Sequence, residues 1–131
     1  MMMYAQDEDH AAAILRRRAS GLLALDDALT ELADADCVAA IATLIAARID
    51  LRPEMVSQAL DAPTDETISA MCRAGGFRIN SYSALLRMRR RQNRGTDSTP
   101  AYALTLFSDL SPASAERLLR RIITEPAGHH S

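Results

Sequence analysis

Arg87, Arg90, Arg91 and Arg94 follow one another at intervals of three, one and three residues. On a helix that spacing sets four guanidinium groups on one face, where they can meet phosphate oxygens or the carboxylates of an acidic protein partner. A second pattern, Leu15, Leu22, Leu25, Leu29 and Leu32, recurs at heptad a and d spacing. It reads as a self-association seam through Leu22, Leu25, Leu29 and Leu32, or as an amphipathic helix lying on its own core. The inventory for catalysis is poor. The histidines are His10, His129 and His130, all near the ends, so no Ser/His or Cys/His pair has a fixed scaffold. The carboxylate pairs Asp26-Asp27 and Asp65-Glu66 read as solvated faces and helix starts, and Gly75-Gly76 lacks the further glycines and lysine of a phosphate loop. Cys37 and Cys72 lie in helical patterns with no ligand spacing around them and are expected as reduced core thiols. The expectation is a protein with no catalytic residue, no cofactor and no metal, and therefore not an enzyme.

These residues need elements to hold them. The 131 residues correspond to one average domain, long enough to bury a core without disulfides. There are 24 alanines, 15 arginines and no lysine, and aromatic residues make up only 4%. Ala, Leu and Arg are good helix formers while strand formers are scarce, so an all-α protein is expected. No apolar run is long enough to cross a bilayer, and the N-terminus lacks the basic-then-apolar layout of a secretion signal. A cytoplasmic protein with no membrane partner follows as the expectation.

Turn signals divide the chain into about seven helices between a flexible N-terminus, residues 1–10, and a flexible tail, 126–131, so that 11–125 form one helical domain. The first helix covers residues 11–33, either bent or broken at Ser20-Gly21. Val38, Ile41, Leu44 and Ile45 mark a second from about Asp36 to Arg48, and Pro53 suits the first turn of a third ending near Leu60. A fourth starts after Pro63-Thr64 with Asp65 and Glu66 in its first turn and stops at Gly75-Gly76. Asn80 or Ser81 is expected to cap a fifth, which runs to about Arg94. After the linker-like Gly95 to Thr99, a sixth starts at Ser98 or Thr99 before Pro100, and a seventh at Ser111 before Pro112.

Asp50-Leu51-Arg52-Pro53 and Asp109-Leu110-Ser111-Pro112 lie 59 residues apart, and at that offset Ile45 matches Leu104, Val56 matches Ala115 and Leu60 matches Leu119. A middle copy aligns Ile68, Met71 and Cys72 with Ile41, Leu44 and Ile45, then Phe77 and Ile79 with Ile49 and Leu51. Three helix-turn-helix units at intervals of roughly 27 to 32 residues are expected to stack as antiparallel pairs. Gln58-Ala59-Leu60-Asp61-Ala62-Pro63, then Ile68, Met71-Cys72-Arg73-Ala74-Gly75-Gly76-Phe77, Tyr82 and Leu85-Leu86 resemble the closing segment of the alphaproteobacterial helical family called domain of unknown function 2336. The resemblance covers about residues 54–91. It implies a helical, repeat-like bacterial protein and carries no catalytic residue.

The stretch from Asp65 to Arg94 also invites a DNA-binding helix-turn-helix reading, with Asn80 to Arg94 as recognition helix. With Gly75 as the turn, polar Ser81 falls where an apolar residue belongs; with Gly76, Arg78 does. Charge offers another route. Residues 1–66 hold thirteen acids against five arginines, a net −8, and 67–131 hold four acids against ten arginines, a net +6. Such a dipole can steer one copy to another or the basic half to an acidic partner, or it can be neutralised internally if the first helices pack beside Arg87 to Arg94. The expected function is a protein-protein interaction or regulatory module, with a protein partner or a second copy favoured over nucleic acid.

Overall fold

A computed structural model describes residues 2–94 and 99–124, with side chains from Asp9 to Ile123. Among these residues there are eight helices and no strand. They are α1 (Met2–Ala19), α2 (Leu25–Asp34), α3 (Val38–Ile49), α4 (Pro53–Asp61), α5 (Glu66–Ala74), α6 (Ile79–Arg91), α7 (Pro100–Asp109) and α8 (Pro112–Thr124). None is long and apolar enough to cross a membrane.

Local chemistry explains most of the boundaries. Gly21, at φ +82°, separates α1 from α2, so the first expected helix is two. Helix α1 begins at Met2, earlier than the expected residue 11, and the expected tail 126–131 lies outside the described residues. Pro53, Pro100 and Pro112 each open a helix, where a missing N–H costs nothing. The Thr99 hydroxyl accepts from the Tyr102 N–H, and that of Ser111 from the Ser114 N–H, both at 3.1 Å. Gly75-Gly76 closes α5 for two reasons. A Cβ on Gly75 would stand 3.0 Å from the Phe77 ring, and Gly76 holds φ +84°.

The core is apolar and continuous. Leu29 and Leu32 of α2, Ile41 and Ile45 of α3, Ile68 and Met71 of α5, and Tyr82 and Leu85 of α6 are all essentially inaccessible to solvent. Each such aliphatic side chain contributes roughly 1.5–3 kcal/mol by leaving water. Packing is not only between neighbours in sequence: α3 lies on α4, but α2 packs most extensively on α6, and α8 on α5 rather than on α7. The two Asp-Leu-x-Pro segments also turn differently. Asp50 is a left-handed C-cap at φ 58°, whereas Asp109 is the last residue of α7 and its cap, Leu110, is extended. Even so, five of the six matched positions, Ile45, Val56, Ala115, Leu60 and Leu119, are buried, and Leu104 is partly so.

Candidate interaction surfaces and the buried polar cluster

The face of α6 that carries chemistry is divided between core and surface. Tyr82, Leu85 and Leu86 form its buried stripe, and the next position of that stripe, three and four residues on from Leu86 and Leu85, is Arg89. Its side chain is fully buried. The guanidinium pairs with Asp65, itself 1% exposed, and donates to the carbonyl oxygens of Leu60 at 3.2 Å, Ala62 at 2.6 Å and Thr64 at 3.1 Å. Those carbonyls belong to the end of α4 and the loop that follows, where the negative end of the helix dipole favours a cation. Burial pushes the Arg89 pKa down, and the Asp65 carboxylate opposes that shift. Arginine is the most basic of the side chains, and the guanidinium stays charged beside its carboxylate.

Beside Arg89 the hydroxyls of Ser69 and Tyr82 share a buried hydrogen bond. The Tyr82 ring stacks on Phe107 with centroids 4.4 Å apart and planes 14° from parallel. Arg73 stands 5.4 Å over the Phe107 ring and donates to the Leu110 carbonyl at 2.7 Å. Burial raises both the Cys72 thiol and the Tyr82 phenol well above their ordinary values, so neither is a nucleophile at neutral pH. Cys37 is also a buried free thiol. Among the described residues no group of three or more His, Cys, Asp or Glu could hold a metal ion. Of the histidines, His10 is exposed on α1, and His129 and His130 lie outside the described residues.

Three of the four arginines singled out by spacing face acids of the N-terminal half. Arg90 lies 3.4 Å from Asp65, Arg91 lies 3.0 Å from Asp36 and donates to the Ala33 carbonyl at 2.8 Å, and Arg94 lies 3.2 Å from Asp61. Arg87 is exposed and donates to Ser83 within its own helix. The charge asymmetry along the chain is thus partly folded back on itself. A graded outcome follows for single glutamine variants followed by urea unfolding. Arg87→Gln should change stability by less than about 0.5 kcal/mol, and Arg94→Gln by no more than about 1 kcal/mol because its pair is exposed. Arg90→Gln should cost about 1–3 kcal/mol, since it withdraws charge from a buried carboxylate.

Two further expectations are corrected. Leu29 and Leu32 are sealed in the chain's own core and Leu25 is partly buried against it, so the four-leucine seam does not form a surface. The break at Gly21 destroys the heptad register, and only Leu22 stands out, 77% exposed. The N-terminus of α6 is capped neither by Asn80 nor by Ser81 acting on its own helix. The Asp26 carboxylate of α2 accepts from the Arg78 N–H at 2.7 Å and from the Ser81 hydroxyl at 2.5 Å. Asp26 therefore ties α2 to α6, a role its sequence neighbourhood does not announce. Arg89 was missed for a different reason. It sits inside an arginine run, and only the extrapolated core stripe marks it out.

One cleft opens between the α3–α4 turn and α8. Ile49, Leu51, Ala74, Leu119 and Ile123 form its apolar floor. Arg48, Asp50, Glu116 and Arg120 stand around its rim, and its volume is about 340 Å³. Arg48 is oriented by the Gly75 carbonyl, to which its Nε donates at 3.1 Å, and Glu116 pairs with Arg120 at 3.6 Å. Comparison with protein families, with curated proteins and with solved structures finds no match for this chain.

Proposed function

We propose that this protein is a cytoplasmic, non-enzymatic interaction or regulatory module that binds a segment of another protein in the cleft between α3, α5 and α8. One observation carries the reading: an apolar floor bounded by charges of both signs, Arg48 and Arg120 with Asp50 and Glu116, on a molecule whose buried polar groups are occupied in holding the fold. Such a groove suits a short amphipathic segment that inserts an aliphatic or aromatic side chain and carries an acid and a base beside it. The placement of Arg90, Arg91 and Arg94 opposite carboxylates supports this reading over a phosphate-binding face. The resemblance of residues 54–91 to the helical family of unknown function, and the recurrence of core positions 59 residues apart, support an origin in stacked helical repeats.

Selection of a random peptide-display library on the full chain tests the proposal. Enriched peptides should share an apolar anchor flanked by opposite charges. Ile123→Glu, which puts a carboxylate at the 40%-exposed lip of the floor, should abolish their binding while far-ultraviolet circular dichroism stays unchanged. Enrichment of nothing, or of peptides that bind this variant equally well, would overturn it. Tight binding of random duplex DNA that weakens steeply with salt would instead favour the nucleic-acid reading of the arginine helix.

A further inference from the structure

We propose that the outward face of α1 is a self-complementary surface that pairs with α1 of a second copy, antiparallel, across a twofold axis near residues 12 and 13. The helix presents two different faces. Ala11, Ile14 and Leu15 pack on the chain's own core, and Arg18 donates to the Leu23 carbonyl. Asp9, Ala13, Arg16 and Ser20, spaced three and four residues apart, lie on the other side. Ala13, Arg16, Ser20 and Leu22 border a shallow, mainly apolar depression, and Leu22, the most exposed large apolar side chain among the described residues, closes its end.

Charge identifies the occupant. Asp9 and Arg16 are both exposed, and neither makes an ion pair within its own chain among the described residues, whereas the adjacent Arg17 is held by Glu31 at 3.3 Å. They are seven residues apart, two helical turns or about 10 Å along one face. An antiparallel copy of the same helix, centred between them, brings Asp9 of each chain level with Arg16 of the other. The twofold operation makes the contact twice, as an isologous interface requires. The side chain at the axis is Ala13, small enough for two helix backbones to approach closely. Each copy thus supplies the counter-charge that the other presents. A single helix pair buries less area than a standard interface, so association should be weak and reversible.

Sedimentation equilibrium of the full chain from about 5 to 500 µM, in low salt, tests the pairing. Wild type should move from monomer to dimer. Asp9→Arg and Arg16→Asp should each raise Kd by about tenfold or more, because each sets like charges opposite one another twice. The double variant, which restores opposite charges in reversed order, should return Kd close to wild type. Asp9→Asn, which removes attraction without adding repulsion, should fall between. Both positions are on the surface, so the circular dichroism spectra of the four variants and wild type should be superimposable. A wild type that stays monomeric at 500 µM, a dimer indifferent to the single substitutions, or a double variant no better than either single would overturn the proposal.

Discussion

Replacing Arg89 by methionine should lower stability by about 3–5 kcal/mol, the usual cost of removing one partner from a buried ion pair. For a chain of this size that corresponds to a fall in Tm on the order of 10–20 °C. Methionine fills much of the volume, so the loss is electrostatic rather than a cavity effect. The Asp65 carboxylate, 1% exposed, loses the cation that faces it, and the carbonyls of Leu60, Ala62 and Thr64 lose a donor. Asp65→Asn should cost less, because the amide oxygen still accepts from the guanidinium and the three carbonyl contacts remain. Combining the two should be less harmful than the sum of the singles, with a coupling of about 1–3 kcal/mol. Thermal unfolding of the three variants decides the matter. A melting temperature for Arg89→Met within a few degrees of wild type would mean that this side chain does not hold the α4–α5 loop.

Phe107→Ala should be comparably severe, about 3–5 kcal/mol for a large buried ring, yet uneven across the molecule. Phe107 and Ala103 are the buried residues of α7, which packs on α5 and α6. Loss of the ring removes the stack on Tyr82 and the surface under Arg73 together. Hydrogen exchange should therefore show the amides of α7 opening first, while those of α2, α3 and α6 retain protection. Phe107→Leu, which keeps apolar volume and loses the stacking, should recover much of the stability. Equal loss of protection in every helix would show instead that α7 is part of one cooperative unit.

Both predictions rest on contacts that join distant parts of the chain, and the same distinction separates the readable from the unreadable residues. Pro53, Pro100, Pro112, Thr99, Ser111 and Gly75-Gly76 specify helix ends through their own backbone geometry or through partners within three residues. The all-helical class follows from composition. Stripes such as Ile41, Leu44 and Ile45, or Ile68, Met71 and Cys72, mark buried faces because helical periodicity is a property of the local chain.

Periodicity says that a face is buried, but not against what. The leucines at 29 and 32 satisfy a dimer seam and a core equally well; the turn at Gly21 and the packing of α2 on α6 put them inside. Asp26 looks like a solvated acid until α6 arrives 52 residues later in the chain and presents the Arg78 N–H. Arg89 is indistinguishable by type from Arg87 and Arg90, and its fate depends on a carboxylate 24 residues away. By itself the sequence determined helix class, most helix ends and the apolar faces that seek burial, since these energies are local. The choice of partner helix, and with it the division of the arginines into one core cation, three ion-paired cations and the exposed Arg87, was decided only by the tertiary structure, because charge energies depend on distances and desolvation that exist only after packing.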